Sequence, residues 1–307
     1  MHWAVIVIII LLAIFIIGLV IFSWRNAAVS VRPKLIPAER EIAGNKKRGL
    51  WLDYDSYDKQ DYTIEGKDGY ILHTTFVSTE QTRGTGKYVI ICHGHTSSRN
   101  GAVKYVNCYI KLGFSCITYD ARTHGENAKA KCTLGNVESE DLMHVINDTR
   151  IRYKDLKILG LQGESMGSST AIHSLRFDPK IDFIVSDCCF LGTYNVIYDG
   201  YKNIHMQALV PFVRIAGKLI YKIDIKETDA LRCLKDNHVP ILFIHGSGDT
   251  LVKPYHAQTL CDEAKKGTAY TELIYVDGAG HAMSRQIAGF EAYTGYIEKF
   301  LKNIGIA

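Results

Sequence analysis

The sequence predicts an α/β protein in which a mostly parallel central sheet carries helices on both faces, with an apolar helix ahead of it. Beyond residue 60, short apolar segments alternate with segments whose apolar residues recur at helical spacing, and this alternation is typical of parallel sheets. Several apolar segments, such as residues 88–92, have no charged break, as expected of strands buried on both faces. Residues 3–24 are uncharged and almost wholly apolar, which favours a transmembrane helix.

Composition limits the classes of function. The chain has 307 residues, 47% of them hydrophobic, so it can bury one large core. A net charge of +4 gives no reason to expect a nucleic-acid partner. Eight cysteines are scattered without C-x-x-C spacing, and most are expected to be small buried apolar residues. No metal site and no cofactor are therefore predicted.

Residues 3–24 are interpreted as a membrane anchor, with Trp3 and Trp24 at its two ends, where the membrane interfaces would lie. A cleaved signal peptide is the alternative, and Ala27 and Ala28 resemble a cleavage region. Against cleavage, no basic side chain precedes the apolar run, and the run is longer than the usual apolar part of a signal peptide.

The basic residues that follow the span bear on which side of the membrane the rest of the chain occupies. By the positive-inside rule they place it in the cytoplasm, because no Lys or Arg precedes the span. Unpaired cysteines favour the same compartment. The basic residues are Arg25, Arg32, Lys34 and Arg40.

Residues 25–60 are predicted to form a basic connector that contains Pro33 and Pro37 and a short helix near residues 38–42. Its lysines and arginines either rest on anionic lipid headgroups or lie in solvent, and the sequence leaves both open. Residues 61–307 are predicted to form the globular domain.

The domain begins with a hairpin, residues 62–65 and 70–77, around a turn that contains Asp68 and Gly69. Strands are predicted at residues 88–92, 114–119, 181–186, 241–245 and 273–276, and helices at 102–112, 137–153 and 286–301. Residues 190–233 interrupt the alternation with apolar and aromatic residues at helical spacing. This segment is interpreted as a helical cap over the carboxyl edge of the sheet, with ordinary core helices as the alternative.

Residues 156–177 run from an apolar strand through Gly163-Glu164-Ser165-Met166-Gly167 into a helix of small residues. In this setting a G-x-S-x-G pentapeptide forms a tight turn that exposes the central serine at a helix N-terminus. The pattern predicts that Ser165 is a nucleophile, and a purely structural turn is the alternative.

A nucleophilic serine needs a base to take its proton and a carboxylate to orient that base. Asp249 and His281 each follow a predicted strand, in the chain order expected after Ser165. We therefore expect Ser165, Asp249 and His281 to form a catalytic triad. Asp187, which also follows a strand, is the alternative acid.

The developing oxyanion needs donors, and the backbone N–H groups of Met166 and His95 are the expected ones. His93 is interpreted as a structural residue of the loop that carries His95. A metal role for His93 and His95 is disfavoured, because no carboxylate or third ligand lies near them in the sequence.

These motifs together resemble the α/β-hydrolase superfamily, and in particular its lysophospholipase/monoacylglycerol-lipase and serine-aminopeptidase-like branch, found in membrane-anchored bacterial hydrolases. The resemblance covers nearly all of residues 61–307 and implies an α/β-hydrolase fold. The usual D-x-R-G-H-G-x-S motif is altered, with Thr123 for Gly and Asn127 for Ser. The matching segments are 93–95, 120–127, 163–167, 245–249 and 280–281.

The predicted function is a membrane-anchored serine hydrolase of the carboxylesterase or lipase-like class, which cleaves small-molecule acyl esters or lipid-derived esters through an acyl-enzyme. A serine peptidase with the same triad is one alternative, and Glu126 and Asp187 are the acids that could grip a free amino terminus. A non-catalytic scaffold is the other alternative, disfavoured because Ser165, Asp249 and His281 are all present.

Overall fold

The computed structural model describes residues 2–306 and contains an eight-stranded sheet in the order β1-β2-β4-β3-β5-β6-β7-β8. The first two strands form the expected hairpin and pair antiparallel with each other, and β2 also pairs antiparallel with β4. All other neighbours are parallel. The strands are β1 (Asp58–Glu65), β2 (Ile71–Ser78), β3 (Lys87–Cys92), β4 (Ser115–Tyr119), β5 (Ile158–Glu164), β6 (Phe183–Asp187), β7 (Ile241–Gly246) and β8 (Thr271–Val276).

Strand order explains where a site can form. Within the sheet, β4 lies on one side of β3 and β5 lies on the other side. The direction in which successive strands are added therefore reverses at β3. In open α/β sheets, ligands bind beyond the carboxyl ends of strands at such a reversal. The carboxyl ends of β3 and β5 therefore mark the expected location of a site.

Helices cover both faces of the sheet, which confirms the predicted fold class. On one face, α4, α5, α8 and α9 contribute Leu142, Ile172, Leu234 and Leu260 to the core. The helices are α1 (His2–Val31), α2 (Ala38–Lys47), α3 (Val103–Lys111), α4 (Asn136–Arg152), α5 (Met166–Ser174), α6 (Thr193–Asn203), α7 (Val210–Ala216), α8 (Ala230–Leu234), α9 (Tyr255–Ala264), α10 (Ser284–Ala288) and α11 (Phe290–Asn303).

On the other face, α3 and α11 pack on the sheet together with Trp51 and Tyr54. The C-terminal helix predicted as one piece is two helices, because Gly289 between them has a φ of 81°. Helix α9 lies in a stretch for which the sequence analysis predicted no helix.

Helix α1 is continuous and extends seven residues past the predicted end of the anchor at residue 24. By length and composition it could cross a membrane. Its last turns pack on the segment between β6 and β7, where Ala27 and Val31 contact a cluster that contains Val213, Ala216 and Tyr221.

The chain between α1 and β1 is folded onto the domain. The buried Glu41 of α2 accepts hydrogen bonds from the hydroxyls of Ser97 and Ser98, and Trp51 and Tyr54 are buried in the core. The division of the chain at residues 25 and 61 stays a prediction, since α2 and the residues after it share contacts with the globular part.

The segment between β6 and β7 is helical, as expected. It contains α6, α7, a π-helical turn (Gly217–Tyr221) and α8. Phe190, at its start, and Val196 and Ile197 of α6 line the same cavity as Ser165. This segment is called the cap below.

Candidate active site

Ser165 stands between β5 and α5 with φ 52° and ψ −111°, a conformation rarely adopted by residues with a side chain. The two glycines of the pentapeptide make the turn possible. A Cβ on Gly167 would lie 2.0 Å from the carbonyl oxygen of Cys92, and one on Gly163 would lie 2.5 Å from Cα of Ser168. The strand and helix can therefore approach each other only with glycine at these positions.

The structure brings the three predicted triad side chains together. His281 Nε2 lies 2.9 Å from Ser165 Oγ, and His281 Nδ1 lies 2.7 Å from Asp249 Oδ2. The residues come from loops after β5, β7 and β8, whose carboxyl ends lie along one edge of the sheet. This geometry allows a proton to pass from the serine to the imidazole while the carboxylate orients the ring.

The Asp249 carboxylate is buried and held from several sides. Its Oδ1 accepts hydrogen bonds from the backbone N–H groups of Leu251 and Val252, each at 2.9 Å. Burial alone would raise the pKa of Asp249, but hydrogen bonds from His245 and His281 outweigh it and lower the pKa. The group therefore stays ionised and can accept from the His281 ring.

Asp187, the alternative acid, lies elsewhere in the site. It is fully buried, and its carboxylate accepts hydrogen bonds from Ser284 and Tyr293 at 2.9 Å each. The Tyr105 hydroxyl is 3.1 Å from the same carboxylate and 2.6 Å from Glu164 Oε2. Asp187 thus has three hydroxyl partners, and the carboxylate that accepts the hydrogen bond of His281 Nδ1 is that of Asp249.

The sequence analysis missed the cluster around Asp187 and Glu164, because its members come from separate elements. Lys104 of α3 forms an ion pair with Glu164, next to Ser165, and donates a hydrogen bond of 3.2 Å to the carbonyl of Ala282, next to His281. Burial raises the pKa of Asp187, and the neighbouring Glu164 raises it further. We name Lys104, Tyr105, Glu164, Asp187, Ser284 and Tyr293 the brace cluster.

A cavity of about 230 Å³ opens at Ser165 and His281, with His95 and Met166 in its wall. Met166 is the first residue of α5, so its N–H has no partner within the helix. His95 follows β3, directly beside β5. Donation from these two backbone N–H groups to an oxyanion stays a prediction.

The rest of the cavity wall is mainly apolar. The end of α1 contributes Val29 and Ser30 to it, which the sequence analysis did not predict. No Asp or Glu occurs among the described residues of the wall. The other lining residues are Leu134, Phe190, Thr193, Val196, Ile197, Leu251 and Val252.

The altered motif at residues 120–127 forms a folded loop beside the site. Thr123 stands where the family has glycine and has a φ of 66°, the left-handed region that favours glycine. Asn127 Nδ2 donates to the carbonyls of Asp120 and Ala121 at 2.7 and 3.1 Å. His93 Nε2 accepts from the N–H of Ala121 at 2.9 Å. The loop is therefore braced without the glycine and the serine that the usual motif has at positions 123 and 127.

Comparison with known proteins gives the following relatives. No family model matches the chain. The Bacillus subtilis (strain 168) protein named "Uncharacterized protein YqkD" is 26% identical over 260 residues, 83% of each chain. The solved structure of the Pyrococcus furiosus esterase Pf2001 is 27% identical with a TM-score of 0.66, and the match covers 82% of this chain and 94% of that chain.

The Pyrococcus horikoshii acylaminoacyl peptidase shares the fold at 12% identity with a TM-score of 0.61, over 81% of this chain and 41% of that one. Sheet order, the strained serine turn and the likeness to solved serine hydrolases agree. The chain has the fold of the α/β-hydrolase superfamily.

Proposed function

We propose that the protein is a membrane-anchored serine hydrolase that cleaves carboxylic esters through an acyl-enzyme. The observation that carries the proposal is the hydrogen-bonded row of Ser165, His281 and Asp249, with distances of 2.9 and 2.7 Å, at a strained strand-to-helix turn. The name of the esterase Pf2001 supports an ester substrate.

In this mechanism Ser165 Oγ attacks the ester carbonyl while His281 Nε2 takes the hydroxyl proton. The backbone N–H groups of His95 and Met166 stabilise the oxyanion. His281 then returns the proton to the leaving alcohol, and the acyl group stays on Ser165. Water, deprotonated by His281, attacks the acyl carbonyl, and the carboxylic acid leaves as Ser165 regains its proton. Asp249 holds the imidazole in the required tautomer.

The cavity supports an ester substrate over a peptide with a free amino terminus. Gripping an ammonium group needs a carboxylate in reach, and the described cavity wall contains none. Glu126 is exposed and forms an ion pair with Arg99 at 2.9 Å, and Asp187 is occupied by three hydroxyls. The wall instead suits an acyl chain, in line with the lysophospholipase/monoacylglycerol-lipase branch.

Packing of α1 supports a retained anchor rather than a cleaved signal peptide. Cleavage near Ala28 would remove Ala27 from the cluster with Val213 and Ala216 and would take Phe22 from Tyr201, with which it makes an edge-on ring contact at 5.8 Å. Apolar surface that the fold buries would then face water. We place the hydrolase domain on the cytoplasmic side, because basic residues follow the span and all eight cysteines are free.

The decisive experiment uses the full chain in detergent or nanodiscs. Ser165→Ala should abolish fluorophosphonate labelling and the hydrolysis of short acyl esters. Ser174→Ala, at the last residue of the helix that follows Ser165 and also buried, should keep both. A panel of acyl esters and aminoacyl amides, tested side by side, should show turnover of the esters. Undiminished hydrolysis by the Ser165→Ala variant would refute the proposed function.

A further inference from the structure

Three potential metal ligands from separate loops meet beside the cavity. The donor atoms of His95, His124 and Cys132 all lie within 4.8 Å of one another. His95 follows β3, His124 follows β4, and Cys132 precedes α4. No further ligand lies near His95 along the chain, but the fold brings His124 and Cys132 to it from other loops.

In each of the two imidazoles one ring nitrogen has no hydrogen-bond partner. His124 Nδ1 lies 2.8 Å from the carbonyl oxygen of Arg122. A carbonyl only accepts, so in the neutral ring Nδ1 carries the proton and Nε2 carries a lone pair. The His95 ring lies beside Ser30, which lines the same cavity. Within the described chain, Nε2 of His95 and of His124 is buried without a hydrogen-bond partner.

A buried acceptor without a partner is rare and unfavourable. His124, beside a buried thiol, has the arrangement that metal-binding histidines show: one ring nitrogen is fixed by a carbonyl and the other is free to bind. His124 is fully buried and Cys132 is 1% exposed. These residues therefore form a built pocket rather than a chance cluster on the surface.

The fourth neighbour is also a sulfur atom. Cys132 Sγ lies 3.5 Å from Sδ of Met166, the residue after the proposed nucleophile. Two imidazoles, a thiol and a thioether are a borderline-to-soft donor set, which selects Zn²⁺ or Cu⁺ over Mg²⁺ or Ca²⁺. Hard cations need oxygen ligands, and none of these four side chains has one.

We propose that His95 Nε2, His124 Nε2 and Cys132 Sγ bind one d¹⁰ transition-metal ion, Zn²⁺ or Cu⁺, with the Met166 thioether in reach as a further ligand for Cu⁺. The Cys132 thiol loses its proton to the solvent when the metal–sulfur bond forms. With Zn–N distances of about 2.0–2.1 Å and a Zn–S distance of about 2.3 Å, ligand atoms lie roughly 3.3–3.8 Å apart. The side chains close on the ion by up to about 1 Å.

The ion lies against the wall of the Ser165 cavity, because His95 and Met166 belong to that wall. It also joins the loop after β3 to the chain that ends α1, since His95 and Ser30 line one cavity and the N–H of Cys132 donates to the carbonyl of Val31. Metal binding therefore stiffens the contact between the anchor helix and the proposed oxyanion loop.

The test uses the full chain in detergent, freed of metal by a chelator and kept reduced. Titration with Zn²⁺ should give one site per chain, and Co²⁺ should give a thiolate-to-cobalt charge-transfer band. Cys132→Ser and His124→Asn should each weaken Zn²⁺ binding at least about tenfold, and Cys132→Ser should remove the band. Asn can keep the donor to the Arg122 carbonyl, so this change removes chiefly Nε2.

Cys233→Ser is the control, because Cys233 is the one cysteine of the eight that is not fully buried and would be the first to bind metal adventitiously. Its band and affinity should match those of the wild type. Loss of the band in Cys233→Ser, or unchanged Zn²⁺ affinity in both site variants, would overturn the proposal.

X-ray absorption at the zinc edge of the wild-type chain gives a second measurement that does not depend on the variants folding. Sulfur and imidazole should appear in the first coordination shell. A shell of oxygen atoms alone would equally reject the site. The proposal does not rest on ester hydrolysis, so its failure and that of the proposed function are separable.

Discussion

Ser165 holds a backbone conformation that costs on the order of 1–3 kcal/mol, and its surroundings explain how the fold keeps it. The N–H of Ser165 donates to the carbonyl of Asp187 at 2.8 Å, and its carbonyl accepts from the N–H of Ser169. Hydrogen bonds on both sides fix the turn, and the side chain is left free to meet His281. The pentapeptide predicted this feature because the whole turn is encoded within five consecutive residues.

Asp249 and His281 could also be predicted, since each directly follows a strand and their order along the chain is set by the topology. The brace cluster could not. Lys104, Glu164 and Asp187 come from α3, β5 and β6, and no local pattern relates them. Their proximity follows only from how α3 packs on the sheet.

The Asp249 carboxylate is expected to orient the His281 ring. Asp249→Asn should lower kcat for ester hydrolysis by about 10³–10⁴-fold, as removing the carboxylate does in other serine triads, and should change KM little. Asp277→Asn is the control, because Asp277 is exposed and contacts Ser247. Steady-state kinetics on a short acyl ester measures both. A drop of less than tenfold in Asp249→Asn would show that another acid serves the imidazole.

Asp187 should make stability depend on pH. Burial and then Glu164 raise its pKa in the folded chain, so between the unfolded and folded pKa values the folded state binds more protons. The free energy of unfolding therefore falls as pH rises through that interval, by about 1.4 kcal/mol for each unit between the two values.

Asp187→Asn cannot ionise and should lack that slope. Thermal unfolding of the full chain in detergent, followed from the acidic to the neutral range, measures it. As pH rises, the unfolding midpoint of the wild type should fall relative to that of the variant. A difference that stays constant over the range would contradict the raised pKa.

At the scale of elements, strands were easier to predict than helices. Strands β3, β4 and β7 are buried along nearly their whole length, and continuous apolar runs report that burial directly. Helix α9 was missed because it begins after Pro254 without a capping side chain and half of its ten residues face solvent in part or in full. Packing on the rest of the domain, rather than a local sequence signal, sets where this helix begins and ends.

The contact of α5 with β3 is tight enough to test with one methyl group. A Cβ on Gly167 would lie 2.0 Å from the carbonyl oxygen of Cys92, so Gly167→Ala must push α5 and Ser165 away from the sheet. Fluorophosphonate labelling should fall at least about 100-fold, because a shift of about 1 Å can cost that much. Gly200→Ala in α6 meets nothing within 4 Å and should label normally, with stability unchanged or raised by about 0.5–1 kcal/mol. Normal labelling of Gly167→Ala would mean that the helix can move without cost.

Helix α3 ties the Ser165 turn to the His281 loop through Lys104. Lys104→Met leaves the Glu164 carboxylate buried without its cation and should destabilise the fold by about 3–5 kcal/mol. It should also lower kcat more than it changes KM, because the Ala282 carbonyl loses its donor. Lys111→Met, on the same helix, removes an exposed pair with Glu291 and a contact with the Phe290 ring and should cost about 1 kcal/mol. Chemical denaturation measures the stability of both variants, and ester kinetics measures their kcat and KM. Equal losses of stability and kcat in the two variants would show that Lys104 has no positioning role.

For the whole molecule, the main feature that the sequence did not predict is that α1, the proposed anchor helix, forms part of the cavity. The sequence predicted an apolar helix, a linker and a domain as separate parts, because the composition of a segment indicates its type of structure but not its tertiary contacts. Val29 is 68% exposed and also lines the cavity, so the opening lies beside α1. The ligands of the proposed metal site could not be predicted for the same reason, because they lie in three separate loops that meet only in the folded chain.

The cap carries an exposed apolar face next to α1, and this face should enter the membrane surface. Residues 3–22 supply the roughly 20 residues needed to span a bilayer, and Phe22 already contacts Tyr201 of the cap. In the proposed membrane-anchored arrangement the bilayer surface therefore lies against the cap, where exposed apolar side chains would be buried among lipids. They are Ile204, Met206, Phe212, Ile215, Leu219 and Ile220.

Leu219→Asp should therefore reduce the hydrolysis of a long-chain ester embedded in vesicles, by about fivefold or more, because a charge at this depth opposes docking of the cap and entry of the ester beside α1. Hydrolysis of a soluble short-chain ester should not change, since Leu219 does not line the cavity. Ile151→Asp is the matched control, because Leu219 is 67% and Ile151 68% exposed. Ile151 lies at the end of α4, toward the amino end of β5 and so opposite the edge of the sheet where the site lies. Both variants are reconstituted through α1 and assayed on the two esters. Equal effects of the two changes on the embedded ester would mean that the cap stays clear of the lipid and that substrate reaches Ser165 from the aqueous side.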